Sequence, residues 1–100
     1  MRIIAIKTLR EFYEKHPETK TGIEVWQKKT KAAKWEKPND ILDTFSKARP
    51  ITNNRVIFGI NKNYYRLIVE INYDRQSVFI RFIGTHKEYE KIDPGTVRNH

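Results

Sequence analysis

The side chains best suited to chemistry in this chain gather in its last third: Arg66, Arg81, His86 and Tyr89, with Lys87 next to the histidine. Together they suit a phosphodiester. Arginine offers a planar, permanently charged fork to non-bridging phosphate oxygens. Histidine exchanges a proton near neutral pH. Tyrosine stacks on a base or donates its phenolic proton. RNA carries its own nucleophile, the 2′-hydroxyl, so such a set needs neither a protein nucleophile nor a metal. The chain lacks an acidic cluster of the kind that holds two catalytic metal ions. It has no cysteine, and His16, His86 and His100 are not at ligand spacing, so no disulfide, zinc site or other cofactor is expected.

Periodicity indicates the elements that must deliver these side chains. Residues 1–6, with Ile3, Ile4 and Ile6, read as a short strand. Thr8 and Glu11 have capping-box spacing at the start of a helix whose apolar face is Leu9, Phe12 and Tyr13, and Pro17 closes it. A second helix opens at Thr19 or Thr21, carries the stripe Ile23, Trp26, Thr30 and Ala33, and is broken near Trp35 by Pro38. Asn39 caps a short third helix holding Ile41, Leu42 and Phe45, and residues 48–54, with Pro50, read as a connector. From Arg55 the period becomes two. Strands run through Val56, Phe58 and Ile60, through 64–73 and through 77–83, with a turn at Asn61, Lys62 and Asn63. Helices followed by a meander make an α+β domain spanning 1–100, with two to three N-terminal helices on one face of a mainly antiparallel sheet.

A two-residue hairpin loop at Arg75-Gln76 would pair Tyr73 with Val78, Ile71 with Ile80 and Val69 with Phe82 on the buried face. Glu70 then lies opposite Arg81, and Arg66 opposite Thr85, on the uncovered face. Strict alternation points Arg66 and Arg81 away from Leu67 and Phe82. Arg66 reaches the strand end that delivers His86, and the catalytic candidates line one concave surface. Plainer readings stand beside this one. Arg81 pairs across the ladder with Glu70, worth under ~1 kcal/mol if exposed. His86 caps a helix or stays on the surface, Tyr89 packs over the sheet edge, and Lys62 and the basic run 28–37 are simply solvated.

The charge balance favours a polyanionic partner. Twenty Lys and Arg oppose twelve Asp and Glu, a formal net charge of +8, which is the footprint of a nucleic-acid binder. Lys62, Lys87, Asn61 and Asn63, together with Lys28, Lys31 and Lys34 off the apolar stripe of the second helix, are the candidate RNA contacts. No apolar stretch has the length of a membrane span or a signal segment, so a soluble cytoplasmic protein without a membrane partner is expected. Two other classes fit the same composition: a non-catalytic RNA- or ribosome-binding module, and a domain that binds an acidic protein.

The segment "YRLIVEINYDRQSVFIRFIGTHKEYEKID" resembles the C-terminal signature of HigB toxins, and "KTLREFYEKHPE", "AAKWEKPNDI" and "VIFGINKNYYRL" match the same family in order. The resemblance covers nearly the whole chain, and "RFIGTH-x-EY" is its most specific part. It implies a RelE-like α+β fold with a curved sheet. It also implies an mRNA endonuclease, commonly acting on messages under translation, with entry at the 30S A site of the ribosome. Cleavage would arrest translation and growth and leave a 2′,3′-cyclic phosphate. A helix-turn-helix HigA antitoxin would neutralise the toxin. Carried onto this sequence, His86 would transfer a proton, Arg66 and Arg81 would neutralise the phosphorane, Tyr89 would stack on or orient a base, and Lys62 and Lys87 would hold the flanking backbone. Three positions depart from the family. Gly59 stands where asparagine is usual, Lys62 where glycine is usual, and Glu90 where aspartate is usual.

Overall fold

A computed structural model describes residues 1–98; His100 lies outside them. The chain runs β1 (Arg2–Ile4), α1 (Ile6–Lys15), a 3₁₀ turn (Pro17–Thr19), α2 (Lys20–Ala32), α3 (Pro38–Thr44), β2 (Arg49–Ile51), β3 (Arg55–Ile60), β4 (Tyr65–Asn72), β5 (Ser77–Thr85) and α4 (His86–Tyr89). The strands form one sheet in the order β1-β5-β4-β3-β2, antiparallel except where β1 joins β5 in parallel. The α+β class and the helix layer on one face match the expectation. No helix among the described residues is long and apolar enough to cross a membrane.

The helices are held by their apolar stripes. Leu9 of α1, Ile23 and Trp26 of α2 and Ile41 of α3 are buried against Val56, Phe58, Leu67, Val69, Val78 and Ile80 of the sheet. Each such aliphatic side chain contributes roughly 1.5–3 kcal/mol. Several helix ends differ from the reading by caps. Ala5, with φ 79° in the left-handed region, precedes α1, so the helix starts before Thr8. Lys37 rather than Asn39 precedes α3. There the Asp40 carboxylate accepts from the backbone N–H groups of Glu36 and Lys37 at 2.8 and 3.2 Å. The second helix ends at Ala32, where the chain's own ammonium donates to the Ala33 carbonyl at 2.6 Å, a cation at the negative end of a helix. The connector around Pro50 is instead the edge strand β2, where a residue without an N–H is tolerated.

The hairpin register also differs. Residues 73–76 form the turn, so Ile71 pairs with Val78 and Val69 with Ile80. Ile68 then pairs with Phe82, which leaves Arg81 as an extra residue, a β-bulge. Beyond it the alternation of β5 is reversed. Ile83 enters the main core, and Phe82 turns to the other face with Ile57 and Ile68. Phe82 and Arg81 therefore share a face, against the expectation from strict alternation, and Arg66 pairs with Gly84 rather than Thr85.

The second face is partly covered. Tyr89, Ile92 and Val97 from the end of the chain pack with Ile51 over Ile57, Ile68 and Phe82. Arg55 fixes this cover. Only 3 % exposed, it donates to the carbonyls of Pro94 at 3.1 Å and Val97 at 2.7 Å, and its guanidinium lies 3.4 Å from Glu70. Asn53 adds a bond to the Gly95 carbonyl at 2.9 Å.

Replacing Arg55 by alanine removes two charge-assisted bonds but leaves Glu70 paired with Arg81. The expected result is a loss of about 2–4 kcal/mol in denaturant unfolding, with faster amide exchange at Thr96 and Val97. Unchanged exchange there would show that the guanidinium does not hold the C-terminal segment.

Candidate active site

The site is built at the end of the sheet where β4 begins and β5 ends. Tyr65 pairs with Thr85 there, and the His86 N–H donates to the Tyr64 carbonyl at 2.9 Å. Thr85 and Glu88 cap α4 reciprocally. The Thr85 hydroxyl accepts from the Glu88 N–H at 3.1 Å, and the Glu88 carboxylate accepts from the Thr85 N–H at 2.8 Å. This T-x-x-E box is legible in the sequence. It sets His86 and Tyr89 three residues apart on one turn, where they face each other. Their rings lie 6.2 Å apart at 23°.

Arg66 completes the group. Its guanidinium lies 5.2 Å from the Tyr89 ring centroid, a cation-π contact. It forms no ion pair among the described residues, and its buried Nε has no hydrogen-bond partner. An unpaired, partly buried cation with an unmade donor is a natural seat for an anion. Both cross-strand neighbours of Arg66 are glycines, Gly59 and Gly84. The Asn63 side chain fills the space that a Cβ at Gly59 would take, and the Phe82 ring and Glu88 carboxylate crowd the one at Gly84. Glycine at 59 thus lets Asn63 close in beside Arg66, and an asparagine at 59 would displace it.

Not every candidate converges. Arg81 is held by Glu70 at 3.2 Å and lies 5.1 Å from the Phe79 ring centroid. About 13 Å of strand separates it from Thr85. Asn61 is engaged, its amide donating to the Glu18 carbonyl at 2.8 Å. Lys62, Asn63 and Lys87 are exposed at the site's edge. Lys28 and Lys31 are exposed on α2, and Lys34 just beyond it, on the helix side of the sheet, away from Arg66.

Two features escaped the sequence reading. Tyr64 is 73 % exposed, an aromatic platform joined to His86 through the backbone. On the helix side, the Tyr65 hydroxyl donates to the Glu18 carboxylate, His16 Nδ1 lies 3.7 Å from the same group, and Phe12 stacks on His16 at 4.4 Å. The hydrogen bond from Tyr65 is the main reason that Glu18 is held below the ordinary carboxylate range; a backbone hydrogen bond and His16 act the same way, and partial burial opposes them. The same bond raises the Tyr65 phenol.

The turn before β4 carries three successive left-handed residues, Asn61 at φ 52°, Lys62 at 56° and Asn63 at 72°. Asparagine tolerates this region better than lysine does, so the strain of the turn falls on Lys62.

Residues 19–92 match the HigB toxin family, described as the RelE-like toxic component of a toxin-antitoxin system. The mRNA interferase toxin HigB of Escherichia coli K12 is 26% identical over 96 residues, covering 90% of this chain and 88% of the relative. The mRNA interferase HigB proteins of Escherichia coli O157:H7 and Shigella flexneri match to the same extent.

Two measurements test this local structure. Lys62→Gly should raise stability by up to about 1 kcal/mol through relief of the left-handed backbone, while the slope of RNA affinity against log salt falls by about 0.7 if Lys62 meets a phosphate. A destabilised variant would refute the strain argument. The second concerns pH. Glu18 is depressed, so its contribution is present above about pH 4.5 and lost as pH falls through its lowered value. Tyr65 is raised, so its contribution is present below about pH 10 and lost as pH climbs through its raised value. The stability gap between wild type and Tyr65→Phe should be widest between these limits and close at the acid end. A gap independent of pH would exclude the Tyr65–Glu18 bond as its source.

Proposed function

Since the chain belongs to the HigB toxin family, the RelE-like toxic component of toxin-antitoxin systems, we propose that it is an mRNA endoribonuclease working at the Arg66–His86–Tyr89 site. The observation that carries this reading is Arg66, whose guanidinium has no carboxylate partner among the described residues while Arg55 and Arg81 share Glu70. A phosphodiester fits that vacancy in charge and shape.

In the proposed reaction the 2′-hydroxyl attacks its neighbouring phosphorus. A bond forms between the 2′-oxygen and phosphorus, and the bond from phosphorus to the 5′-oxygen breaks. The products are a 2′,3′-cyclic phosphate and a free 5′-hydroxyl. His86 moves a proton, either from the 2′-hydroxyl or to the leaving 5′-oxygen. Arg66 neutralises charge on the phosphorane, the kind of electrostatic contribution that is usually largest. Tyr89, in contact with both groups, orients them and meets a base, and Tyr64 offers a second stacking surface. Lys62, Lys87 and Asn63 hold the flanking backbone. Arg81, tied to Glu70, contributes to the positive field from further away.

Membership of the family supports the biological setting of the proposal. The substrate is mRNA presented on the ribosome, with entry at the 30S A site, in the cytoplasm. The neutralising partner is a HigA-type helix-turn-helix antitoxin, and an excess of positive charge on the toxin speeds association with an acidic segment of it.

His86→Ala and Arg66→Ala provide the test. The former should slow cleavage of a ribosome-bound message by about 10²–10⁴ and the latter by about 10²–10³, with growth arrest on induced expression lost and the far-UV spectrum unchanged. Growth arrest that survives both substitutions in folded protein would reject this site and favour a non-catalytic RNA- or ribosome-binding module.

A further inference from the structure

A cleft of about 560 Å³ lies between α2, the 44–48 loop and the far end of β3. Its wall is aromatic, with Trp26, Phe45 and Phe58 in edge-to-face contact, Trp26 to Phe58 at 5.5 Å and Phe45 to Phe58 at 5.2 Å. Lysines 29, 47 and 62 line it and no aspartate or glutamate does. The Lys29 ammonium lies 5.8 Å from the Phe45 ring centroid. The buried indole N–H of Trp26 has no acceptor among the described residues, which leaves an unmade donor in the wall. Val25, 48 % exposed, adds apolar surface at the rim. Such a cleft takes an anion with a flat, largely apolar body, and its volume falls in the range that seats one small molecule.

Its position narrows the choice. Gly59 lines the cleft and is also the direct cross-strand partner of Arg66. Lys62 and Asn63 line it too, and Asn63 rests over Gly59. The lining of the cleft at Gly59 is therefore about one strand spacing, roughly 4.8 Å, from the Arg66 backbone; the aromatic wall lies on the helix side of the sheet and Arg66 points to the other face, with Gly59 and the 61–64 turn between them. An acidic peptide would satisfy the charge alone. Continuity with Arg66 through Gly59 and the 61–64 turn favours the substrate itself.

We propose that this cleft is a nucleotide subsite, in which Lys29, Lys47 and Lys62 hold phosphate and the Trp26–Phe45–Phe58 wall receives a base of a nucleotide flanking the scissile linkage. Its occupant sets where the message is cut, because only a base that fits lets the neighbouring phosphate reach Arg66. The proposal rests on the ribonuclease reading above.

The test uses uncleavable RNA, namely the homopolymeric 2′-O-methyl dinucleotides and tetranucleotides of each base, titrated into the intact protein. The readouts are the two indole N–H signals, from Trp26 and Trp35, and the amides around Arg66 and His86. Dinucleotides should shift the Arg66 and His86 region alone. At least one tetranucleotide should also move the Trp26 indole. In the double variant Lys29→Gln with Lys47→Gln its affinity should fall about tenfold, and the salt slope should drop by about 1.4, two phosphate contacts at about 0.7 each. Dinucleotide affinity should be unchanged. A tetranucleotide that shifts the Arg66 region, leaves Trp26 still and ignores both lysines overturns the subsite but not the ribonuclease. Movement of Trp26 by an acidic peptide and by none of the RNAs also overturns it, and gives the cleft to a protein partner. Absence of any RNA binding at low salt removes the ribonuclease reading and the subsite with it.

Discussion

One extra residue in β5 decides which way the rest of that strand faces. The bulge at Arg81, between the pairs Val69–Ile80 and Ile68–Phe82, shifts the alternation by one. Phe82 leaves the main core and joins Ile57 and Ile68 on the second face, while Ile83 takes a place under the helices. Gly84 then lies on the same face as its partner Arg66, and the Phe82 ring and Glu88 carboxylate take the space that a side chain there would need. Without the slip, Phe82 would be absent from the second face, and Tyr89, Ile92 and Val97 would have little apolar surface on which to settle. Bulges near the ends of strands commonly re-aim side chains in this way, and here the result is the direction in which β5 delivers His86.

The same face sorts its arginines. Arg55, Arg66 and Arg81 all lie there, and Glu70 is taken by Arg55 and Arg81, while the Glu88 carboxylate, beside Gly84, caps α4 and forms no ion pair with Arg66 among the described residues. Glu70 and Arg66 lie four residues apart on β4, about 13 Å along the strand, with Ile68 and its apolar neighbours in between. The hydrophobic patch thus does more than hold the C-terminal segment. It separates Glu70 from Arg66, so that the cation beside Tyr89 keeps its charge available. Arg55 and Arg81 serve the architecture of the face, and Arg66 is the one whose environment asks for an external anion.

The parts of this arrangement governed by local rules were legible in the residues. The apolar stripe Ile23, Trp26 and Thr30 of α2 and the period-two strands follow from spacing alone, whereas the nearness of Arg66 to the segment carrying His86 depends on register: the turn spans 73–76 and the bulge sets Arg66 opposite Gly84. What escaped depends on non-local competition. A bulge leaves no mark in an alternating pattern, so Phe82 and Ile83 could not be assigned to faces without the partner strand. The cover over the second face comes from a polar-looking tail whose few apolar residues, Ile92 and Val97, have no periodicity. The role of Arg55 has no local signal, because its acceptors, the carbonyls of Pro94 and Val97, are some forty residues away in sequence. Arg81 was readable both as a ladder partner of Glu70 and as a catalytic group, and local sequence cannot choose between an acid across the ladder and a distant histidine.

The turn at 61–64 is where the two sides of the sheet communicate. Its three left-handed residues cost conformational energy, and the surrounding bonds hold them in place. On the helix side the Asn61 amide and the Tyr65 hydroxyl both grip Glu18, one at its carbonyl and one at its carboxylate. On the other side Asn63 lies over Gly59, and the Tyr64 carbonyl takes the N–H of His86. A displacement at the junction of α1 and α2 would therefore reach His86 through a few consecutive backbone units. Relaxing the turn would loosen Asn63, Tyr64 and the start of β4 together, and Arg66 is the second residue of that strand. The strained backbone is thus explained by position: it is the shortest connection that keeps the helix layer, the lysine-lined cleft and the Arg66–Tyr89 pair in one register.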